Sequence, residues 1–335
     1  MFQIDGSAMA ITLGNTSVVT VFGGSGFLGR YVVQALARTG CRIKVAVRRP
    51  DLALHLQPLG AAGQIALIQA NVRDERSVVE ALRGADAVVN LVGILEQSGR
   101  QRFRAVHAEA AERIAKAARA QGARALVHVS AIGASRLARS VYARTKGEGE
   151  ERVLAAFPEA VILRPSLIFG HEDNFFNRFG AMSRIAPVMP LICGKTRMQP
   201  IYAGDVAQAV KAALAGRATE GAIYELGGPV TYTFREILKK VCEWTGHPRP
   251  LFPIPGWIAK IPAFFVQFVP GAPITVDQIR LLQRDNVVSA EAANAQRTLE
   301  GLGIAEPRSV ELIVPSYLQR YRPRGEFSTD RVSVS

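Results

Sequence analysis

The stretch Val19-Thr-Val-Phe-Gly23-Gly-Ser-Gly26-Phe-Leu-Gly29-Arg30 runs an apolar, β-branched segment into a glycine turn and on into a helical segment. That order belongs to a βαβ unit whose glycine turn receives a pyrophosphate at a helix N-terminus. Gly23 is placed to make the tight turn. Gly26 lets the backbone approach a phosphate with no Cβ in the way, and Gly29 lets the helix lie close to the strand. The intervening Ser25, Phe27 and Leu28 complete the candidate cradle. The spacing is G-x-x-G-x-x-G rather than G-x-G-x-x-G.

Outward from this turn, strand and helix patterns alternate. Strands are expected at 17–22, 42–47, 64–69, 87–91, 125–129 and 160–163. Helices are expected at 26–38, 75–82, 102–121 and 141–156, and Gly40, Gly84 and Gly122 close the first three. Alternation of this kind predicts an α/β fold: a doubly wound parallel Rossmann sheet, with the ligand at the carboxyl ends of the strands.

The second half changes character and predicts a smaller C-terminal lobe. Helices are expected at 174–185 and 205–214, the latter with Asp205 as N-cap. A strand at 222–226 could rejoin the sheet, and Thr233-Phe-Arg-Glu236 is a capping box opening a helix over 234–245. The expected organisation is an extension over 1–16 and a core over 17–170 rejoined by about 196–228. The lobe takes 171–195 and 229–325, and a flexible tail 326–335. Residues 251–273 are proline-punctuated, aromatic and nearly uncharged, with Trp257, Phe264, Phe265 and Phe268 among them. They suit a lobe core, a lid, a docking surface or an interfacial anchor.

The chain has 335 residues and an ordinary globular composition, with 48% hydrophobic and 21% charged residues. Its three cysteines are scattered and lack metal spacing, which argues against a disulfide framework or a structural zinc. The net charge of +13 attracts anionic surfaces. The arginines are dispersed without interleaved aromatics, so nucleic acid is an unlikely partner. No signal peptide and no transmembrane helix are expected.

Three further motifs bear on chemistry. The second strand ends in Val47-Arg48-Arg49-Pro50. Arg48 suits a ribose 2′-phosphate by charge and by its planar fork of donors, which favours NADP(H) over NAD(H), although Asp51 stands close by. Asn71 and Val72 follow the third strand, where an adenine would lie. Leu91, Val92 and Gly93 follow the fourth, where backbone could pass under a cofactor. Tyr142-Ala-Arg-Thr-Lys146 places a phenol and an ammonium four residues apart on one helix face. A lysine beside a tyrosine would lower its pKa and make it a usable acid/base. Lys146 could also hold a nicotinamide ribose.

The glycines 23, 26 and 29, the Tyr142/Lys146 pair and Leu163-Arg-Pro165-Ser-Leu-Ile-Phe-Gly170 together resemble the extended and atypical short-chain dehydrogenase/reductases, with epimerase/dehydratase-like character. Later signatures, among them Ile168-Phe-Gly-His-Glu-Asp173, Asn177-Arg-Phe and Gln199-Pro-Ile-Tyr202 with Asp205, resemble the nucleotide-binding accessory subunits of respiratory complex I in bacterial form. The resemblance implies a bound NADPH without turnover, complex I membrane-arm and connecting subunits as partners, and a peripheral place at the cytoplasmic face of the bacterial inner membrane. It also implies Ser130 and Pro165 as cofactor contacts. An active member needs a hydroxyl shortly after the fifth strand, where this chain has Ile132 and Gly133, although Ser130 or Ser135 could stand in if the loop runs differently. The asparagine many members carry in the preceding helix has His107 as its nearest match. The alternative is an active NADP(H)-dependent reductase, dehydrogenase or epimerase using Tyr142 and Lys146.

Overall fold

The computed structural model describes residues 11–255 and 275–323. The readings on the aromatic segment from residue 256 to 273 and on the tail lie outside those residues. The chain forms two compact units. The first comprises residues up to 166, Ala203–Gly227 and Val288–Pro307; the second comprises Leu167–Tyr202, Gly228–Val287 and the residues from 308. Residues 288–307 thus pack with the sheet-bearing unit rather than with the lobe.

In the first unit the elements run β1 (Val18–Phe22), α1 (Phe27–Ala37), β2 (Arg42–Val47), β3 (Ile65–Gln69), α2 (Glu75–Leu82), β4 (Ala87–Asn90), α3 (Ala110–Ala120), β5 (Ala125–Val129), α4 (Val141–Ala156) and β6 (Val161–Pro165). They form a seven-stranded parallel sheet in the order Ile223–Leu226, β6, β5, β4, β1, β2, β3. The expected doubly wound Rossmann sheet is therefore present, and the strand at 223–226 does rejoin it. The chain reverses direction across the sheet between β1 and β4, and a crevice opens at such a point beyond the carboxyl ends of the strands.

Central strands are almost wholly apolar because both faces are covered. Asp86 fixes the register of three of them. Its Oδ2 accepts from the Val18 N–H at 2.8 Å, its own N–H donates to Val18, and its carbonyl accepts from Arg124. Phe22, Leu126 and Ile162 pack on one face with Ile114 of α3 and Val153 of α4 in a continuous apolar cluster.

Two local features differ from the sequence reading. The helix expected from residue 102 is not uniform: Ala105–Glu109 form a π-helical turn before α3 begins. Gly149 of α4 lies directly against the His107 carbonyl there, closer than any Cβ would allow. The helix over Ala203–Leu214 begins two residues early, so Asp205 sits in its first turn rather than at its N-cap.

The second unit has its own core of Phe169, Phe176, Met189, Phe234, Leu238 and Tyr317. The expected capping box is formed: Thr233 Oγ1 accepts from the Glu236 N–H, and the Glu236 carboxylate accepts from the Thr233 N–H at 2.7 Å.

Candidate functional site

The glycine turn sits at the carboxyl end of β1. Gly23 has φ +81°, a left-handed conformation that favours glycine. A Cβ there would also lie 3.1 Å from the Leu91 carbonyl carbon and 3.2 Å from the Val92 nitrogen. The turn after β1 and the segment after β4 therefore pass in close contact. Gly29 is more constrained still. A Cβ would fall 2.5 Å from the Gly24 carbonyl and nearer yet to the Gly23 oxygen. Gly26 is the exposed N-cap of α1, and no side chain among the described residues caps the helix. The first-turn N–H groups of Phe27, Leu28 and Gly29 follow it, the group of donors that suits an anion. Ser25 is half-buried within the turn.

Beyond β2, Arg49 and Asp51 pair with each other at 2.8 Å on the surface. Asp51 is thus engaged, while Arg48, at the strand's end, is exposed and no carboxylate among the described residues pairs with it. Asn71 is half-buried, and its backbone N–H and side-chain oxygen are engaged locally. Its N–H donates to Ser77 Oγ at 2.8 Å, and its Oδ1 accepts from the Arg73 N–H at 3.2 Å. Val72 packs on the core cluster, and its carbonyl accepts from Arg113 at 2.8 Å.

The polar centre of the site lies where β4, β5 and α4 meet. Lys146 is buried and its Nζ donates to the Val129 carbonyl at 3.1 Å. A Cβ on Gly93 would lie 3.4 Å from this Nζ and 3.9 Å from His107 Nε2, so the three residues converge. Burial holds the ammonium's pKa down to about 8, opposed in part by the carboxylate of Glu150. Tyr142 packs edge-on against His107 and Phe103, at 5.2 and 5.9 Å between ring centroids. Burial pushes its phenol up to about 12. The sequence predicts a lowered pKa beside Lys146; the net direction in the structure is upward, set by burial. The shared helix face brings the two residues together, but the lysine head reaches down to the end of β5.

Two histidines flank Lys146, and their hydrogen bonds assign their tautomers. His107 Nε2 accepts from the Ile94 N–H at 3.1 Å, so Nδ1 carries the proton and donates to Thr145 Oγ1 at 3.1 Å. That hydroxyl donates onward to the Tyr142 carbonyl at 3.0 Å. Asn90 Oδ1 accepts from the Val92 N–H, so its amide nitrogen donates to His128 Nδ1 at 3.0 Å and the His128 proton sits on Nε2. That Nε2–H is buried and has no partner among the described residues. Burial, reinforced by the Lys146 charge, pushes His107 down to about 2 and His128 to about 3, so both are neutral.

Ser130 follows β5, and its buried Oγ has no partner among the described residues. Its N–H donates to the Leu163 carbonyl at 2.7 Å, and the Ile132 N–H to the carbonyl of buried Pro165 at 3.1 Å. Ile132 and Gly133, the latter at φ +83°, occupy the turn where a working member would present a hydroxyl.

A family model described as the NAD dependent epimerase/dehydratase family matches residues 19–227. The chain belongs to that family. Among curated relatives of this epimerase-family protein, one from Arabidopsis thaliana named NADH dehydrogenase (ubiquinone) 1 alpha subcomplex subunit 9, mitochondrial, is 36% identical over 292 residues, covering 83% of this chain and 73% of the relative. One from Neurospora crassa named NADH-ubiquinone oxidoreductase 40 kDa subunit, mitochondrial, is 33% identical and covers 90% of this chain and 79% of the relative. A ceramide reductase from Caulobacter vibrioides is 32% identical over 190 residues, 57% of this chain and 58% of that one. In fold, the protein is similar to an NADPH-dependent quinone oxidoreductase from Escherichia coli complexed with NADPH, with TM-score 0.70 at 19% identity over 90% of this chain and 99% of that one. It is also similar to a UDP-glucose 4-epimerase from Thermus thermophilus complexed with NAD, with TM-score 0.62 at 20% identity over 90% and 99%.

This epimerase-family site fits a nicotinamide dinucleotide on its own geometry. The glycine cradle leaves no room for a Cβ at Gly29, and among the described residues no side chain caps the first turn of α1 and none partners the buried Ser130 hydroxyl. Two contributors were not singled out in the sequence. Thr145 carries the His107 bond. Glu150 and Arg164 form a buried bidentate pair at 2.9 and 2.5 Å, with Glu225 3.7 Å from the same guanidinium. Arg164 thus has a carboxylate partner. The spacing of Glu150, one helical turn beyond Lys146, was the available signal.

Proposed function

We propose that the chain is an NADP(H)-binding accessory subunit of NADH:ubiquinone oxidoreductase, respiratory complex I, and that it holds its cofactor without turning it over. The observation that carries this reading is the likeness to two mitochondrial subunits of that enzyme across 83% and 90% of the chain. Gly23, Ser25, Gly26, Phe27, Leu28 and Gly29 would hold the pyrophosphate, and Arg48 a 2′-phosphate. Asn71 and Val72 border the adenine. Leu91, Val92, Gly93, Ser130, Pro165, Tyr142 and Lys146 would enclose the nicotinamide half. Such a cofactor supplies a hydride donor or acceptor when bound. Here the absent hydroxyl at Ile132 and the phenol of Tyr142, held protonated at about 12, support retention over reaction.

As a ligand of the folded state alone, the cofactor adds stability by mass action. The partners are membrane-arm and connecting subunits, at the cytoplasmic face of the bacterial inner membrane. A net charge of +13 favours an anionic membrane surface, and no helix among the described residues is long and apolar enough to cross it. Native membranes solubilised in mild detergent test the reading: the chain should co-migrate with complex I and carry NADPH. Migration apart from the complex would overturn it.

A second reading is favoured by the ceramide reductase relative: an active NADP(H)-dependent reductase of a hydrophobic substrate, or an epimerase, with Tyr142 as acid/base beside Lys146. It requires turnover that Tyr142→Phe abolishes.

A further inference from the structure

Among the described residues, the groups that surround Lys146, Glu150 apart, carry no charge near neutral pH. His107 from the turn before α3 and His128 from β5 are both neutral, as their hydrogen bonds and burial dictate. Tyr142, from α4 itself, stays protonated. β4 contributes only Asn90 and the segment through Gly93, which are uncharged. Among the described residues, the carboxylate that the ammonium feels is Glu150, four residues on along α4 and so on the same face. Glu150 is itself 3% exposed and cannot wander. Arg164 of β6 grips both of its oxygens, and Glu225 of the neighbouring strand holds the far side of that guanidinium.

We propose that Glu150 is a positioning residue for cofactor retention: clamped by Arg164 one turn beyond Lys146, it keeps the lysine charged where a nicotinamide ribose would lie. The inference rests on the cofactor-holding reading above. A charged Lys146 donates all of its N–H bonds and attracts an anionic dinucleotide; a neutral one keeps fewer donors and no charge. In the pH range 7 to 9.5 the histidines and Tyr142 do not titrate, so the profile of binding in that range reports Lys146. Removing the Glu150 charge moves the lysine to a lower pKa, by about one unit for a carboxylate one helical turn away.

The experiment measures NADPH affinity of the purified full chain by fluorescence titration from pH 6.5 to 9.5. Wild-type affinity should fall above a midpoint near 8, and K146R should show no midpoint, because arginine does not titrate there. E150Q should shift the midpoint down by about one unit, whereas E150D keeps the charge and should hold it within about 0.3 unit of wild type. If E150Q does not fold, E150Q/R164M replaces the pair with neutral groups and should still move the midpoint down, by less than E150Q because the guanidinium charge leaves with the carboxylate. A merely structural Glu150 would lower affinity equally at every pH and leave the midpoint in place, and that result overturns the inference. Wild-type protein that binds no NADPH at any pH overturns the cofactor reading itself.

Discussion

At the scale of single residues, the glycine turn makes a sharp prediction because two glycines of the same chain differ in what surrounds them. A Cβ on Gly29 would press into the backbone of Gly23 and Gly24, whereas one on Gly14 meets nothing within 4 Å. Gly29→Ala gains up to about 1 kcal/mol of helix propensity. It loses about 1–3 kcal/mol to overpacking against backbone that cannot step aside. The clash should win, and NADPH binding should weaken with it, because the displaced atoms are the cradle itself. Gly14→Ala should leave the melting temperature within about 2 °C of wild type. Equal melting temperatures for the two variants would remove this account of the turn. Arg48 gives a second residue-scale test. Its guanidinium has no carboxylate partner among the described residues, while Arg49 and Asp51 neutralise each other. Arg48→Ala should weaken NADPH about 10- to 100-fold, the worth of a charged hydrogen bond, and leave NADH within about threefold. Parallel titrations with the two nucleotides decide it; an equal loss for both would show that Arg48 does not read the 2′-phosphate.

At the scale of elements, the contact between α4 and the π-helical turn at Ala105–Glu109 organises the site. Gly149 allows the His107 carbonyl to approach, and the approach brings His107 Nδ1 to Thr145 and the His107 ring onto Tyr142. Gly149→Ala should push the two elements apart and cost about 1–3 kcal/mol by overpacking. It should also loosen the segment at Ile94 that His107 Nε2 holds, which hydrogen exchange at the Ile94 amide would reveal. Protection at Ile94 unchanged from wild type would separate the two effects.

The same element shows what the sequence could and could not disclose. The glycine turn and the shared helix face of Tyr142 and Lys146 were readable because each depends on local backbone or on helix period. The alternation of strands and helices was readable because parallel strands bury both faces. Where the Lys146 head would go was not readable, since the Val129 carbonyl that captures it comes from another element. Nor could the histidine tautomers be read, because Asn90, Ile94 and Thr145 fix them from three separate places. The π-turn has no composition signal of its own; it follows from Gly149, some forty residues on. In the second unit several strands are two residues long, too short to leave any period in the sequence.

At the scale of the whole molecule, the buried histidines tie stability to pH. Their folded pKa values, about 2 for His107 and about 3 for His128, lie below the ordinary 6.5. A group depressed in the folded state contributes stability that is complete above its unfolded pKa and is lost as pH falls toward the folded one. Between pH 6.5 and 4.5 the unfolded chain binds protons that the folded chain refuses, at about 1.4 kcal/mol per pH unit for each histidine. The two together remove roughly 5 kcal/mol by pH 4.5, comparable with the entire stability of many domains. Surface carboxylates such as Asp285 and Glu236, whose partners hold them below the ordinary carboxylate range, lose their contribution only at lower pH. Asp173, which burial raises, changes stability in the opposite direction and lies in the second unit, so the acid loss in this window belongs to the histidines. Both histidines lie in the sheet-bearing unit, so the loss should fall on that unit's transition. Urea unfolding of the nucleotide-free chain, followed at several pH values through this window, measures it. The His107→Asn/His128→Asn variant should start less stable at pH 7 and decline far less toward pH 4.5. A variant slope equal to wild type would mean that other groups carry the acid sensitivity.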